Sequence, residues 1–299
     1  MIIIEMCGGL GNQMFQYALY TKLKMSGKEV KLDLSYFQEK NALRKFELDI
    51  FRIDYEIASD REICKYKKNG ILNRLFGLKT NKKEYIENLD TGFQPIVLSF
   101  DDKYLQGYWQ CEKYFKDIRN VLLDKFTFPF NDDNSRCKEI LMQIQHTESV
   151  SLHVRRGDYL SEQNIKIYGN ICTLSYYRNA ITYIKQKIKN PVFFLFTNDA
   201  DWVKEHILEE DMVIVDCNTG NRDYLDMFLM SQCRHNIIAN SSFSWWGAWL
   251  NQNAEKIVMS PSRWFNNHET TDIICEGWVR LDNKGDQVIN ENSDYTMEQ

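Results

Sequence analysis

The feature that most restricts the fold is a series of short, β-branched apolar runs with helical patterns between them. IIIEM (2–6), EVKLDL (29–34), SVSLHVR (149–155), PVFFLFTN (191–198), MVIVD (212–216), NIIAN (236–240) and KIVMSP (256–261) are mostly continuous rather than alternating. Strands covered on both faces read this way, because neither side has to meet water. TLSYYRNAITYIKQKIK sets Leu174, Tyr177, Ile181, Ile184 and Ile188 three and four residues apart, on one face of an amphipathic helix. Strand and helix in alternation predict α/β architecture with parallel sheets.

At 299 residues and 43% hydrophobic content, the chain can bury a large core and divides into two domains of roughly 150 residues each. The Pro, Asn and Asp of FPFNDDNS place the boundary near Phe130 to Asn134. The predicted domains are 1–133 and 134–285, with a polar tail at 286–299 that frays. From Glu39 to Phe130 clean strand runs are scarce, and the expectation there is loops and helices. The basic run Lys65 to Lys68 reads as a solvated face.

A net charge of −5 argues against a general nucleic-acid binder. No stretch approaches the roughly 20 apolar residues of a membrane span, and the first strand begins at Ile2 without a charged leader, so a cytoplasmic location is expected. Eight scattered cysteines without a C-x-x-C pair suggest neither a zinc site nor a disulfide framework.

IIIEMCGGLGNQMFQYALY reads as strand, glycine loop and helix, nearly the layout of a dinucleotide-binding turn. Gly9-x-Gly11, with Asp33 ending the second strand, imitates a nicotinamide fingerprint. Bulky Met14 stands where the third glycine should let helix and strand approach closely, which counts against that cofactor.

Three later strands end in polar groups, where open α/β sheets bind ligands. The first ends at His153, Arg155, Arg156 and Asp158, the second at Thr197, Asn198 and Asp199, the third at Asn240, Ser241, Ser242 and Ser244. Arg155 shares a strand face with His153 and is read as the contact to an anionic group, with Arg156 supporting the fold. Serine hydroxyls and free N–H groups at a helix start form an anion site, so the three ends together suit a nucleotide diphosphate. The D-x-D of Asp199 and Asp201 has a metal-binding look, but Asp201 fits the first turn of a helix, where acidic residues favour the dipole. Trp245, Trp246 and Trp249 read as packing residues.

GGLGNQMFQYA, HVRRGDY, FTNDADW and DMFLMSQCRHNIIANSSFSWWGAWLN resemble the ordered motifs of the family 11 glycosyltransferases, the α-1,2-fucosyltransferases of bacteria and animals. SPSRWFNN resembles the family's C-terminal pattern, so the likeness leaves little but the tail uncovered. It implies a GT-B-like α/β architecture: two Rossmann-like domains facing across a cleft, the N-terminal one on the acceptor side and the C-terminal one binding GDP-fucose. It also implies inverting transfer from GDP-β-L-fucose to the 2-hydroxyl of a β-galactose, with no metal required. Related enzymes put His153 near the guanine, Arg155 on the β-phosphate, and Ser241, Ser242 and Ser244 by the pyrophosphate. Arg156, Asn198, Asp199, Asn240, Gly9 and Gly11 complete the expected donor set. Asn12 is expected to reach the sugar or phosphate.

In such a transfer negative charge builds on the departing GDP, and Arg155, the serines and Asn12 are the groups to stabilise it. The acceptor hydroxyl must lose a proton; Asp158 is the nearest carboxylate, and a phosphate oxygen is the other acceptor. The loops between Glu39 and Phe130 are expected to choose the glycan. The chain lacks the membrane anchor and stem of a Golgi member and looks bacterial, acting at the inner face of the membrane on a lipid-linked precursor such as O-antigen. Another GDP-sugar transferase, an NAD(P)-dependent oxidoreductase using the glycine loop, and a noncatalytic sugar-binding module are the alternatives.

Overall fold

The computed structural model describes residues 1–39, 42–67, 83–130, 135–218, 220–268 and 272–288. The chain divides into two compact units, Met1–Pro129 and Phe130–Gln299.

The first unit runs β1 (Ile2–Glu5), α1 (Leu10–Met25), β2 (Val30–Asp33), α2 (Asp60–Tyr66), β3 (Glu84–Ile86), β4 (Lys103–Gln106) and α3 (Arg119–Lys125). Its sheet has the order β2-β1-β4-β3, with every neighbouring pair parallel. Ile2, Ile3 and Ile4 are fully buried, which is why that run does not alternate. Met14, Phe15, Ala18 and Leu19 bury one side of α1, and Lys22 and Lys24 in its last turn complement the helix dipole.

Two expectations for this unit are corrected. The stretch from Glu39 to Phe130 holds two strands, β3 and β4, of three and four residues. In KYLQ only Tyr104 and Leu105 are buried, too few for an apolar run to stand out. Lys67 is no solvated lysine either: its Nζ lies 2.7 Å from Glu5 Oε1, 3.5 Å from Asp33 Oδ2 and 4.7 Å from the Tyr104 ring centroid. Lys68 falls outside the described residues.

The second unit runs α4 (Ser135–His146), β5 (Glu148–Val154), α5 (Ile165–Tyr168), α6 (Leu174–Lys187), β6 (Pro191–Thr197), α7 (Ala200–His206), β7 (Met212–Ile214), α8 (Tyr224–Gln232), β8 (His235–Ile237), α9 (Ser242–Leu250), β9 (Val258–Pro261) and β10 (Val279–Leu281). The six strands are parallel in the order β10-β9-β8-β5-β6-β7. Counted within the unit this is 3-2-1-4-5-6, the Rossmann order, which reverses between β5 and β8.

Helices cover both faces of that sheet. Phe193 and Leu195 of β6 pack with Tyr176, Ile181 and Ile184 of α6, as the helical spacing predicts. Phe194 and Phe196 pack on the opposite side with Ile140 and Ile144 of α4 and Leu229 of α8. Strand β5 divides by chemistry as well as by face: Val150, Leu152 and Val154 join the α6 layer, while Ser149, Ser151 and His153 alternate with them. Trp245, Trp246 and Trp249 are buried as expected, and the Trp245 indole donates to Ile273 O at 2.6 Å. The tail is corrected at its start, because Gln287 pairs antiparallel with Leu281 and Val288 N donates to Arg280 O at 2.8 Å. Its remainder, 289–299, lies outside the described residues. Among the described residues no helix is long and apolar enough to cross a membrane.

Candidate active site

The reversal of strand order sends the chain leaving β5 one way and the chain leaving β8 the other, and such a switch point is where an open parallel sheet binds ligands. His153, Arg155 and Arg156 come from the end of β5, and Asn240 with the serines follows β8. His153 lies by Phe243 and Arg155 is linked through Tyr159 to Asn240, so these two meet the loop after β8, whereas Arg156 turns toward the end of β6.

His153 is buried, and its Nδ1 has no hydrogen-bond partner among the described residues. Burial, with the Arg155 charge beside it, pushes its pKa down to about 3, so the ring is neutral near pH 7. The ring lies 6.0 Å from that of Phe243, in the first turn of α9. Arg155 Nη2 donates to Asp158 at 2.9 Å, and its guanidinium stands over the Tyr159 ring at 5.7 Å. Tyr159 in turn stacks on Tyr168 at 4.9 Å and donates to Asn240 O at 3.0 Å. The arginine thus rests on an aromatic floor tied to the β8 loop.

Arg156 faces elsewhere. Its Nε donates to Asp199 Oδ2 at 3.0 Å, its guanidinium stacks over Trp202 at 4.1 Å, and its backbone N–H donates to Asn198 Oδ1 at 3.0 Å. Asp199 also caps α7, accepting from Trp202 N at 3.2 Å. Asn198, Asp199 and Arg156 therefore join the ends of β5 and β6. Asp201 sits in the first turn of α7, as expected, with its side chain fully exposed.

The serines differ from one another. Ser241 caps α9 through a bond from Phe243 N at 3.3 Å. Ser244 is 1% exposed, and its hydroxyl accepts from Ala239 N at 3.3 Å, which places it inside the turn. Half-buried Ser242 opens the helix, and its hydroxyl bonds to no described residue. The buried amide of Asn240 gives its protons to Tyr168 O at 3.2 Å and Trp264 O at 3.1 Å. It anchors the loops around the site.

In the first unit the glycine loop is held from inside. Gly8 takes φ +77, and a Cβ there would lie 2.5 Å from Asn12 Nδ2, so it is the glycine this loop requires. Gly9 caps α1 with ordinary extended backbone, and Gly11 is buried in the first turn. Asn12 Oδ1 accepts from Gln110 Nε2 at 2.8 Å. Gln13, fully buried, donates to Gly8 O at 2.9 Å and Lys45 O at 2.8 Å. Gln16, also buried, accepts from Cys7 N at 3.1 Å and donates to Gly107 O at 2.9 Å. Sequence reasoning missed both glutamines, although two amides in a helix buried almost all round were the signal. It missed Tyr159 and Gln110 as well.

A Rossmann-ordered sheet whose switch point gathers a cationic arginine and a serine-capped helix start has the layout of an anion-binding α/β enzyme. Residues 1–282 match the model of Glycosyl transferase family 11, and the chain belongs to that family of glycosyltransferases. It is 35% identical over 302 residues to an alpha-1,2-colitosyltransferase of Escherichia coli, with 94% of this chain and 99% of that protein covered. The O-antigen biosynthesis glycosyltransferase WbnK of Escherichia coli is 33% identical over 305 residues, covering 92% and 98%. Galactoside alpha-(1,2)-fucosyltransferase 2 of Hylobates lar is 25% identical over 257 residues, covering 83% and 68%.

Proposed function

We propose that the chain is a galactoside α-1,2-fucosyltransferase. It takes L-fucose from GDP-β-L-fucose and joins it, with inversion, to the 2-hydroxyl of a β-galactose in a surface polysaccharide precursor. The observation that carries this reading is the pair of groups at the β5/β8 switch point: the Arg155 guanidinium, and the start of α9 with Ser241 and Ser242. Both suit a diphosphate that gains negative charge as the anomeric C–O bond breaks. Neutral, buried His153 suits a nucleobase edge better than a phosphate. Arg155 and the helix start supply the positive charge, and we read the reaction as needing no metal. A lipid-linked acceptor would bring the enzyme to the inner face of the membrane from the cytoplasm.

A second donor is favoured by one observation, the 35% identity to a colitosyltransferase. Colitose is fucose without its 3-hydroxyl, so GDP-colitose would meet the same diphosphate groups. Thermal shift with GDP, GDP-fucose, GDP-colitose, GDP-mannose and NADH separates the readings, since a ligand at 100 times its Kd stabilises by about 2.7 kcal/mol. Transfer to lactose and to Galβ1,3GlcNAc and Galβ1,3GalNAc, with and without EDTA, then tests acceptor and metal. A shift with NADH and none with GDP or either GDP-sugar sinks the proposal.

A further inference from the structure

The SPSRWFNN stretch, whose side chains the site above does not use, begins in β9 and continues past its end. There it lines a cavity of about 90 Å³, together with Asn170 and the chain that leaves β10. The cavity has several times the space one water needs, and it lies at the carboxyl end of a parallel sheet, where ligands bind. All of it belongs to the second unit.

Its walls are fastened by backbone groups. Asn266 donates from its backbone to Ile167 O and from its amide to Gly169 O, both at 2.8 Å. Thr173, the cap of α6, donates to Asn283 O, and Ser262 N donates to Leu281 O at 2.7 Å. Asn170 takes φ +58, a left-handed conformation that asparagine tolerates better than most residues. The side chains, in contrast, are largely unspent. The Asn170 and Asn283 amides and the Ser262 hydroxyl bond to no described residue. Arg263 forms no ion pair among the described residues, and a bond from its Nη2 to Asn266 O at 3.2 Å steadies the guanidinium. Asp282 spends Oδ1 on Lys284 N at 2.8 Å and Asp286 N at 2.9 Å, and Oδ2 on no described residue.

Such a lining offers donors and acceptors together. A phosphate or an acidic sugar would meet Asp282 as a like charge, whereas the hydroxyls of a neutral ring donate to the carboxylate and accept from Arg263. Asn240 connects the cavity to the surroundings of Arg155: its amide donates to Tyr168 O and Trp264 O, and its carbonyl accepts from Tyr159, over which the Arg155 guanidinium stands. His153, proposed above for the nucleobase, faces the side of the sheet opposite α6, whereas the cavity adjoins the α6 cap through Asn283. Neighbouring strands lie about 4.8 Å apart, so β9 and β10 end roughly 5 and 10 Å past β8, beyond a ring joined directly to a diphosphate at the switch point. Resting on the transfer reaction proposed above, we infer that this cavity is a subsite for a neutral pyranose of the acceptor glycan, held by Arg263, Asn170 and Asp282. The second unit then reads the acceptor as well as the donor.

Arg263→Ala and Asn170→Gly, the latter keeping the left-handed backbone while removing the amide, are assayed as full chains beside wild type. Transfer to lactose and to Galβ1,3GalNAc is measured with the acceptor varied, calorimetry gives the Kd of GDP and of the GDP-sugar used, and the melting temperature checks the fold. The expected result in Arg263→Ala is an acceptor KM raised at least about 5-fold, with both Kd values within about 2-fold of wild type. A smaller rise in KM overturns the subsite. A Kd raised for the GDP-sugar and not for GDP overturns it in favour of the donor's own ring, and one raised for both overturns it in favour of the nucleotide. Should Arg263→Ala fail to fold, Asn170→Gly decides in its place, with a rise of at least about 3-fold expected and a smaller one overturning the subsite. A wild type inactive with every GDP-sugar overturns the transfer reading itself. Calorimetry with the two disaccharides then decides the cavity alone: it stands as a sugar site if wild type binds one that Arg263→Ala does not, and falls otherwise.

Discussion

Arg155 and Asp158 form a two-point ion pair, with the Nη2 of the arginine 2.9 Å from each oxygen of the carboxylate. The pair spans three residues in the chain leaving β5 and fixes the guanidinium over Tyr159. Its two side chains are 25% and 40% exposed, so water screens the attraction, and its worth lies in orientation more than in stability.

Asp158→Asn therefore acts through the donor. Releasing Arg155 is expected to raise the KM for the GDP-sugar about 2- to 5-fold, the equivalent of an ion pair worth up to about 1 kcal/mol, with kcat changed less. Steady-state kinetics with the donor varied checks this. A kcat lowered more than about 100-fold at unchanged KM would give Asp158 the proton-accepting role.

The neutral state of His153 carries a pH dependence of stability. Its pKa is about 3 in the folded chain, against an ordinary 6.5, so below pH 6.5 the unfolded chain binds a proton that the folded chain refuses. The stability of the neutral, buried ring is complete above pH 6.5 and is lost at up to about 1.4 kcal/mol per pH unit as pH falls. His153→Gln should remove this slope. Urea unfolding at pH 5.0 and 7.5 measures it, and equal pH dependence in variant and wild type contradicts it.

Asp226 contributes the opposite slope. Burial, with Asp223 nearby, pushes its carboxyl up to about 7, although Asn218 Nδ2 donates to it at 2.7 Å. The folded chain keeps this proton longer than the unfolded chain, whose carboxyl ionises near 3.8, so raising the pH from about 4 to 7 destabilises the fold. Asp226→Asn is expected to stabilise the protein on the order of 2–4 kcal/mol at pH 8 and to change little at pH 4. Melting temperatures at both pH values decide, and a variant less stable at pH 8 would show that the ionised carboxylate has a partner worth more than its burial costs.

Much of this was readable in the sequence where local chemistry and packing agree. Val150, Leu152 and Val154 announce a strand covered by helices, and Asp201 announces a helix start through the dipole. Strands β3, β4 and β10 escaped notice because three or four residues with exposed or polar members carry no periodic signal. The residues that hold the site were harder still. Asn240 and Ser244 look like ligand groups in a string of letters, yet their hydrogen bonds are spent on Tyr168, Trp264 and Ala239. Glu87 and Trp109 are 22 residues apart, so only the folded backbone reveals that one carboxylate holds the other's left-handed turn.

Asn12 ties the two loops of the first unit together, and we propose that in the transfer it donates to the sugar or phosphate. Its Oδ1 is engaged by Gln110, which leaves Nδ2, packed over Gly8, as the group free to donate. An N–H that stabilises charge developing on the diphosphate acts in the transition state and adds little to ground-state binding. Asn12→Ala is thus expected to lower kcat by about 10- to 100-fold while the Kd for GDP moves less than about 3-fold. Stopped kinetics with the donor and acceptor saturated, beside calorimetric titration with GDP, separate the two quantities. If GDP affinity instead collapses while kcat holds, the glycine loop is the primary nucleotide site, and the β5/β8 switch point loses its claim to the diphosphate.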